Sequence, residues 1–71
     1  MIRKGTKVQW NCANGTAEGK VVETYTTKVT KTIKGSKITR NGDKKDEALY
    51  IKQTDGDHVL KSESEVRRVN S

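Results

Sequence analysis

The chain has 71 residues, and those best equipped for chemistry are one histidine, one cysteine and three large aromatic rings. Their types and spacing decide which chemistry is open. No second histidine or cysteine stands near His58 or Cys12 at a metal-holding spacing, and no glycine-rich loop is arranged to cradle a phosphate. A nucleophile needs a base within hydrogen-bond reach and a third group to orient that base, and nothing in the pattern supplies this. Cys12 ends an apolar face and is read as a small buried hydrophobe rather than a reactive thiol. His58 falls in an expected hairpin opposite Gln53 and is read as solvated or sheet-packed. Asp43, Asp46, Glu47, Asp55 and Asp57 lie in loops and turns, and its turn alone accounts for Asp55. The expectation is a non-enzymatic binding module with no catalytic residue, cofactor, metal or small-molecule substrate.

Trp10, Tyr25 and Tyr50 raise a second chemistry. Several aromatic faces converging on one spot attract a desolvated cation, such as a methylated lysine. Alternation places Trp10 on the core face of its strand, while Tyr50 points away from the core, so the three rings are not expected to meet. Tyr25 and Tyr50 then remain as a barrel face on which a protein or peptide could dock.

Charge suggests a third. The net charge is +6. Lys28, Lys31, Lys34, Lys37 and Arg40 recur at every third position, followed by Lys44 and Lys45, and Asp43 is the only carboxylate among them. This stretch carries a net six positive charges and the remainder sums to zero. Such a concentration is the electrostatic footprint of weak, salt-sensitive nucleic-acid binding through the basic 28–45 hairpin, with threonines 27, 30, 32 and 39 adding neutral phosphate hydrogen bonds. It also serves to solvate an exposed ribbon, and the excess of lysine over arginine suits that second role. The leading partner is therefore nucleic acid, and the alternative is a protein or peptide held near Tyr25 and Tyr50.

The elements that must position these residues are strands. Apolar residues alternate with period two in several short segments and never follow helical spacing for more than a turn. Thr6–Cys12 puts Val8, Trp10 and Cys12 on one face, and Asn14-Gly15 marks the turn into a long strand from Ala17 to Thr27, where Gly19 signals a bulge or a close backbone approach. Lys28–Arg40 reads as a hairpin around Gly35-Ser36, charged on both faces and so standing partly off the body, held by Val29, Ile33 or Ile38. Asp55-Gly56 predicts a two-residue turn pairing Thr54 with Asp57, which sets Leu60 opposite Ile51 in the core. Ser62 and Glu65 form a capping-box pattern for one helical or 3-10 turn before a short closing strand at Arg67-Arg68-Val69. The fold class expected is all-β: a small SH3-like, tudor-type barrel of five to six short antiparallel strands, filling residues 1–71 as a single domain.

Specific segments carry a resemblance. Lys4-Gly5-Thr6-Lys7-Val8-Gln9-Trp10, Gly15–Val22, Thr30–Gly35, Thr39-Arg40-Asn41-Gly42, Ala48-Leu49-Tyr50 and Val59-Leu60-Lys61 through Ser64-Glu65-Val66 together resemble the hypervirulence-associated proteins with a tudor domain. The likeness covers nearly the whole chain and implies a free-standing bacterial protein with the barrel fold. It implies no activity. With no apolar stretch of membrane-spanning or signal-peptide length, and a single cysteine, the expected protein is soluble, cytoplasmic and monomeric.

Overall fold

A computed structural model describes residues 2–69. Among the described residues seven strands form: β1 Lys7–Cys12, β2 Gly15–Tyr25, β3 Val29–Ile33, β4 Ser36–Arg40, β5 Ala48–Gln53, β6 His58–Ser62 and β7 Arg67–Arg68, with a 3-10 turn at Glu63–Glu65 before the last. Five of them make an antiparallel sheet in the order β6-β5-β2-β1-β7, and β3 and β4 make a separate two-stranded ribbon. The all-β, barrel-like class expected from the alternation therefore holds.

The inner face of the large sheet makes the core. Val8, Trp10, Val21, Leu49 and Ile51 are buried together with Ile2, and Ala17, Val59 and Val66 pack against them. Alternation explains the choice of residues: Val8 and Trp10 are two apart on β1, and Val21 pairs directly with Ile51 between β2 and β5. Cys12 breaks the expected pattern. It lies on the exposed end of β1, where its partner is Gly15 beside the turn, and nothing reaches out to cover it.

The turns form where anticipated, with small shifts. The β1–β2 loop is Ala13-Asn14, with Gly15 already paired as part of β2 at a φ of 122°. The ribbon turns at Lys34-Gly35, both in the left-handed region at φ 51° and 80°, the geometry of a two-residue turn whose twist matches its strands. Between β5 and β6 the loop is one residue longer than a two-residue turn. Gln53 N–H donates to the Asp57 carbonyl at 2.7 Å, Gly56 takes φ 94°, and Asp55 Oδ1 accepts from Asp57 N–H at 2.9 Å. The extra residue slips the register by one, so Lys52 faces His58, Ile51 faces Val59, and Tyr50 faces Leu60. Leu60 thus belongs to the outer face of the sheet, yet it is only 3% exposed.

The ribbon accounts for that burial. It docks against β6 instead of standing off, and Ile33 and Ile38 share a shallow depression with His58, Val59, Leu60 and Lys61. Its inner face carries Val29, Lys31, Ile33, Ile38 and Arg40, all half-buried. The expected charge on both faces is present, but the inward Lys31 meets aromatic rings of the sheet and the inward Arg40 meets Glu65 of the 3-10 turn, which allows docking. Two devices shape β2 for this arrangement. Val22 is the extra residue of a bulge between Val21 and Glu23, and Gly19 allows the backbone of β5 to come close. At the C-terminal end the expected capping box forms, with Ser62 N–H donating to Glu65 Oε1 at 2.8 Å and the Ser62 side chain accepting from the Glu65 backbone, and β7 pairs with β1 at Val8 and Gln9.

Candidate functional site

The structure divides the seven basic residues of the 28–45 stretch into two groups. Lys31, Lys34 and Arg40 are engaged within the fold. Lys31 Nζ sits over two rings at once, 5.1 Å from the centre of Tyr25 and 4.9 Å from that of Tyr50. Tyr50 is itself stacked on His58 at 4.8 Å and 17°. The hydrogen bond to Tyr25 raises the Lys31 ammonium pKa above its ordinary value, against the opposing effect of desolvation. Lys34 at the ribbon tip reaches Asp57 at 2.9 Å, and that contact holds its pKa up as well. Arg40 at the ribbon base lies 3.5 Å from Glu65.

Lys28, Lys37, Lys44 and Lys45 form the second group. All four are exposed, and among the described residues none has a carboxylate within ion-pairing distance. The outer face of the ribbon carries Thr30 opposite Thr39, their hydroxyls 2.8 Å apart, and Thr32 opposite Lys37. In the exit loop, Asp43 Oδ1 accepts from the N–H groups of Lys45 at 2.7 Å and Asp46 at 2.8 Å. This turn fixes the backbone that bears Lys44 and Lys45. The ribbon therefore sorts its charge: Lys31 and Arg40 lie on the inner face with partners, Lys34 is paired at the tip, and Lys37 and the threonine hydroxyls occupy the outer face without a facing carboxylate.

Tyr25 and Tyr50 do come together, which strand alternation alone left open, but their shared face is filled by Lys31. Trp10 is buried in the core at 3% exposure and takes no part in that pair. The rings that would form a cation-binding surface are thus closed by a lysine of the same chain. No sequence signal marks Lys31 as their occupant, because the contact depends on which face of the ribbon docks.

A barrel-like antiparallel domain of this size, with an exposed basic ribbon and an internally filled aromatic pair, belongs to the class of small tudor-type binding modules. Residues 5–66 match the family model of the hypervirulence associated proteins TUDOR domain, and the chain belongs to that family. No curated protein and no solved structure matches it.

Proposed function

We propose that the protein is a nucleic-acid-binding module that uses the outer face of the β3–β4 ribbon and its exit loop. The observation that carries this reading is the sorting of charge. Lys37 shares the outer face of the ribbon with the Thr30–Thr39 hydroxyl pair, the paired strands carry no carboxylate, and exposed Lys28, Lys44 and Lys45 lie in the segments that lead into and out of them. Lysine ammonium groups act as mobile point charges toward phosphates, and threonine hydroxyls add neutral hydrogen bonds that fix position without reading bases. Binding of this kind is sequence-tolerant and falls steeply with salt. The Tyr25–Tyr50 face is the weaker candidate because a protein partner would first have to displace Lys31.

The test is a chemical-shift titration with a short mixed-sequence single-stranded DNA at low salt. The amides of Lys28, Lys37, Lys44 and Lys45 should move, and the shifts should disappear as salt rises. Four phosphate contacts on a single strand correspond to a slope of about −3 in log K against log salt. Shifts confined to the surroundings of Tyr25 and Tyr50, or none at all, would refute the proposal.

A further inference from the structure

Three lysines far apart in the chain are brought into one row by strand register. Lys7 on β1 pairs directly with Lys20 on β2, and Lys20 pairs directly with Lys52 on β5. Directly paired residues project from the same face, so all three ammonium groups leave the outer face of the sheet. Adjacent strands lie about 4.8 Å apart, so the row spans about 10 Å. All three residues are exposed, and none has an ion-pair partner among the described residues. Like charges placed directly opposite across strands destabilise a sheet. Other cations of the fold do have partners: Lys4 with Glu23, Lys34 with Asp57, Arg40 with Glu65, and Arg67 with the Asn11 side chain.

A second feature coincides with the row. Lys7, Lys20 and Lys52 rim a shallow depression of about 250 Å³ that Gly19, Val22, Gln53 and Thr54 also line, with Glu18 as its one carboxylate. The surface of the hollow is almost wholly apolar, to which the aliphatic stems of the three lysines and Val22 contribute, while the lysines bring their charge to its edge. That combination suits phosphates at the rim and a sugar or base edge in the hollow. The row also leads toward the ribbon. Lys52 is opposite His58, and the neighbouring Asp57 holds Lys34 at the ribbon tip.

We propose that Lys7, Lys20 and Lys52 form a second phosphate-binding site, which carries the backbone of the same nucleic acid from the ribbon onto the five-stranded sheet. This rests on the nucleic-acid reading above but on different residues, so the two can fail separately. A lone surface lysine contributes little; three in register beside a hollow present one continuous track to a polyanion.

The experiment measures binding of a fluorescein-labelled 12-nucleotide single-stranded DNA by anisotropy between 20 and 200 mM salt. It compares the wild type with two variants, Lys7→Gln/Lys20→Gln/Lys52→Gln and Lys28→Gln/Lys37→Gln. Loss of three phosphate contacts should weaken binding at least tenfold at low salt and make the salt slope shallower by about 2. The row variant should melt no lower than wild type, because it removes opposed like charges. If it does not fold, a titration of the wild-type protein decides instead, by whether the Lys7, Lys20 and Lys52 amides shift with the same DNA. Wild-type affinity and slope in a folded row variant, with binding lost in the ribbon variant, overturns the row and leaves the ribbon standing. The reverse result supports the row and refutes the ribbon. A wild-type protein that does not bind at 20 mM salt refutes both.

Discussion

Replacing Gly19 by alanine tests the packing of the sheet that carries both candidate surfaces. Gly19 lies between Val8 of β1 and Gln53 of β5. A Cβ there would stand 2.5 Å from the Lys52 carbonyl oxygen and 2.7 Å from Ile51 Cγ2. Ordinary contact between such atoms is about 3.5 Å, so β5 would have to retreat by about 1 Å. The obstacle includes backbone, which cannot swing aside as a flexible side chain can. Overpacking of this kind costs about 3 kcal/mol at the upper end, and alanine returns up to about 1 kcal/mol by restricting the unfolded chain. The net loss is about 2 kcal/mol. For a domain of this size that lowers the melting temperature by about 8–16 °C. Thermal unfolding followed by circular dichroism, with the fluorescence of buried Trp10 as a second probe, measures it. The exposed neighbouring substitution Lys20→Ala is the control and should change stability by less than about 0.5 kcal/mol. A Gly19→Ala protein that melts within about 2 °C of wild type, or higher, would refute the close-approach argument.

Three further outcomes are expected. Lys31→Gln removes the cation between Tyr25 and Tyr50 and should accelerate amide hydrogen exchange in β3 and β4 while leaving Val8, Val21 and Ile51 protected; unchanged exchange in the ribbon would show that Lys31 does not hold it down. The Lys34 pKa is raised in the folded state, so its contribution to stability is complete below its ordinary value of 10.5 and is lost as pH climbs through the higher folded value. The melting-temperature gap between wild type and Lys34→Met should accordingly be constant at neutral pH and close in alkali, and a gap that widens there contradicts the assignment. Exposed Cys12 should react with a thiol reagent in the native protein as fast as in urea, whereas strong native protection would place it in the core.

Much of this architecture is legible in the residues, and what escapes depends on pairings that periodicity does not encode. Val8 and Trp10 declare the core because a two-residue period on a half-buried strand allows no other face. Cys12 obeys the same period yet is exposed, since a face is buried only as far as neighbouring elements extend. The Asp55-Gly56 pair announces a hairpin, but the loop gains Thr54, and that one residue moves Leu60 from Ile51 to Tyr50. The basic 28–45 stretch is plain from composition, whereas its division into inward Lys31 and Arg40 and outward Lys37 follows from docking on β6. The Lys7–Lys20–Lys52 row is invisible to any local reading. Its members belong to the part of the chain whose charges cancel in a sum, and only register gathers them.

The pairing of β7 with β1 bears on how the protein is made. The first strand of the sheet has the last as a neighbour, and the Ile2 N–H donates to Glu63 Oε2 at 2.6 Å. During synthesis the β1–β2 and β3–β4 hairpins emerge early, but the apolar face of Val8, Trp10 and Val21 has no partner until β5 arrives and no lid until Val66 does. The domain must therefore wait for its late strands before it can bury what the early ones expose, which makes folding dominated by distant pairings and correspondingly slow. In that interval the sticky inner face is vulnerable to association. The lysines of the ribbon, translated before β5, give the unfinished chain a repulsive charge while it waits.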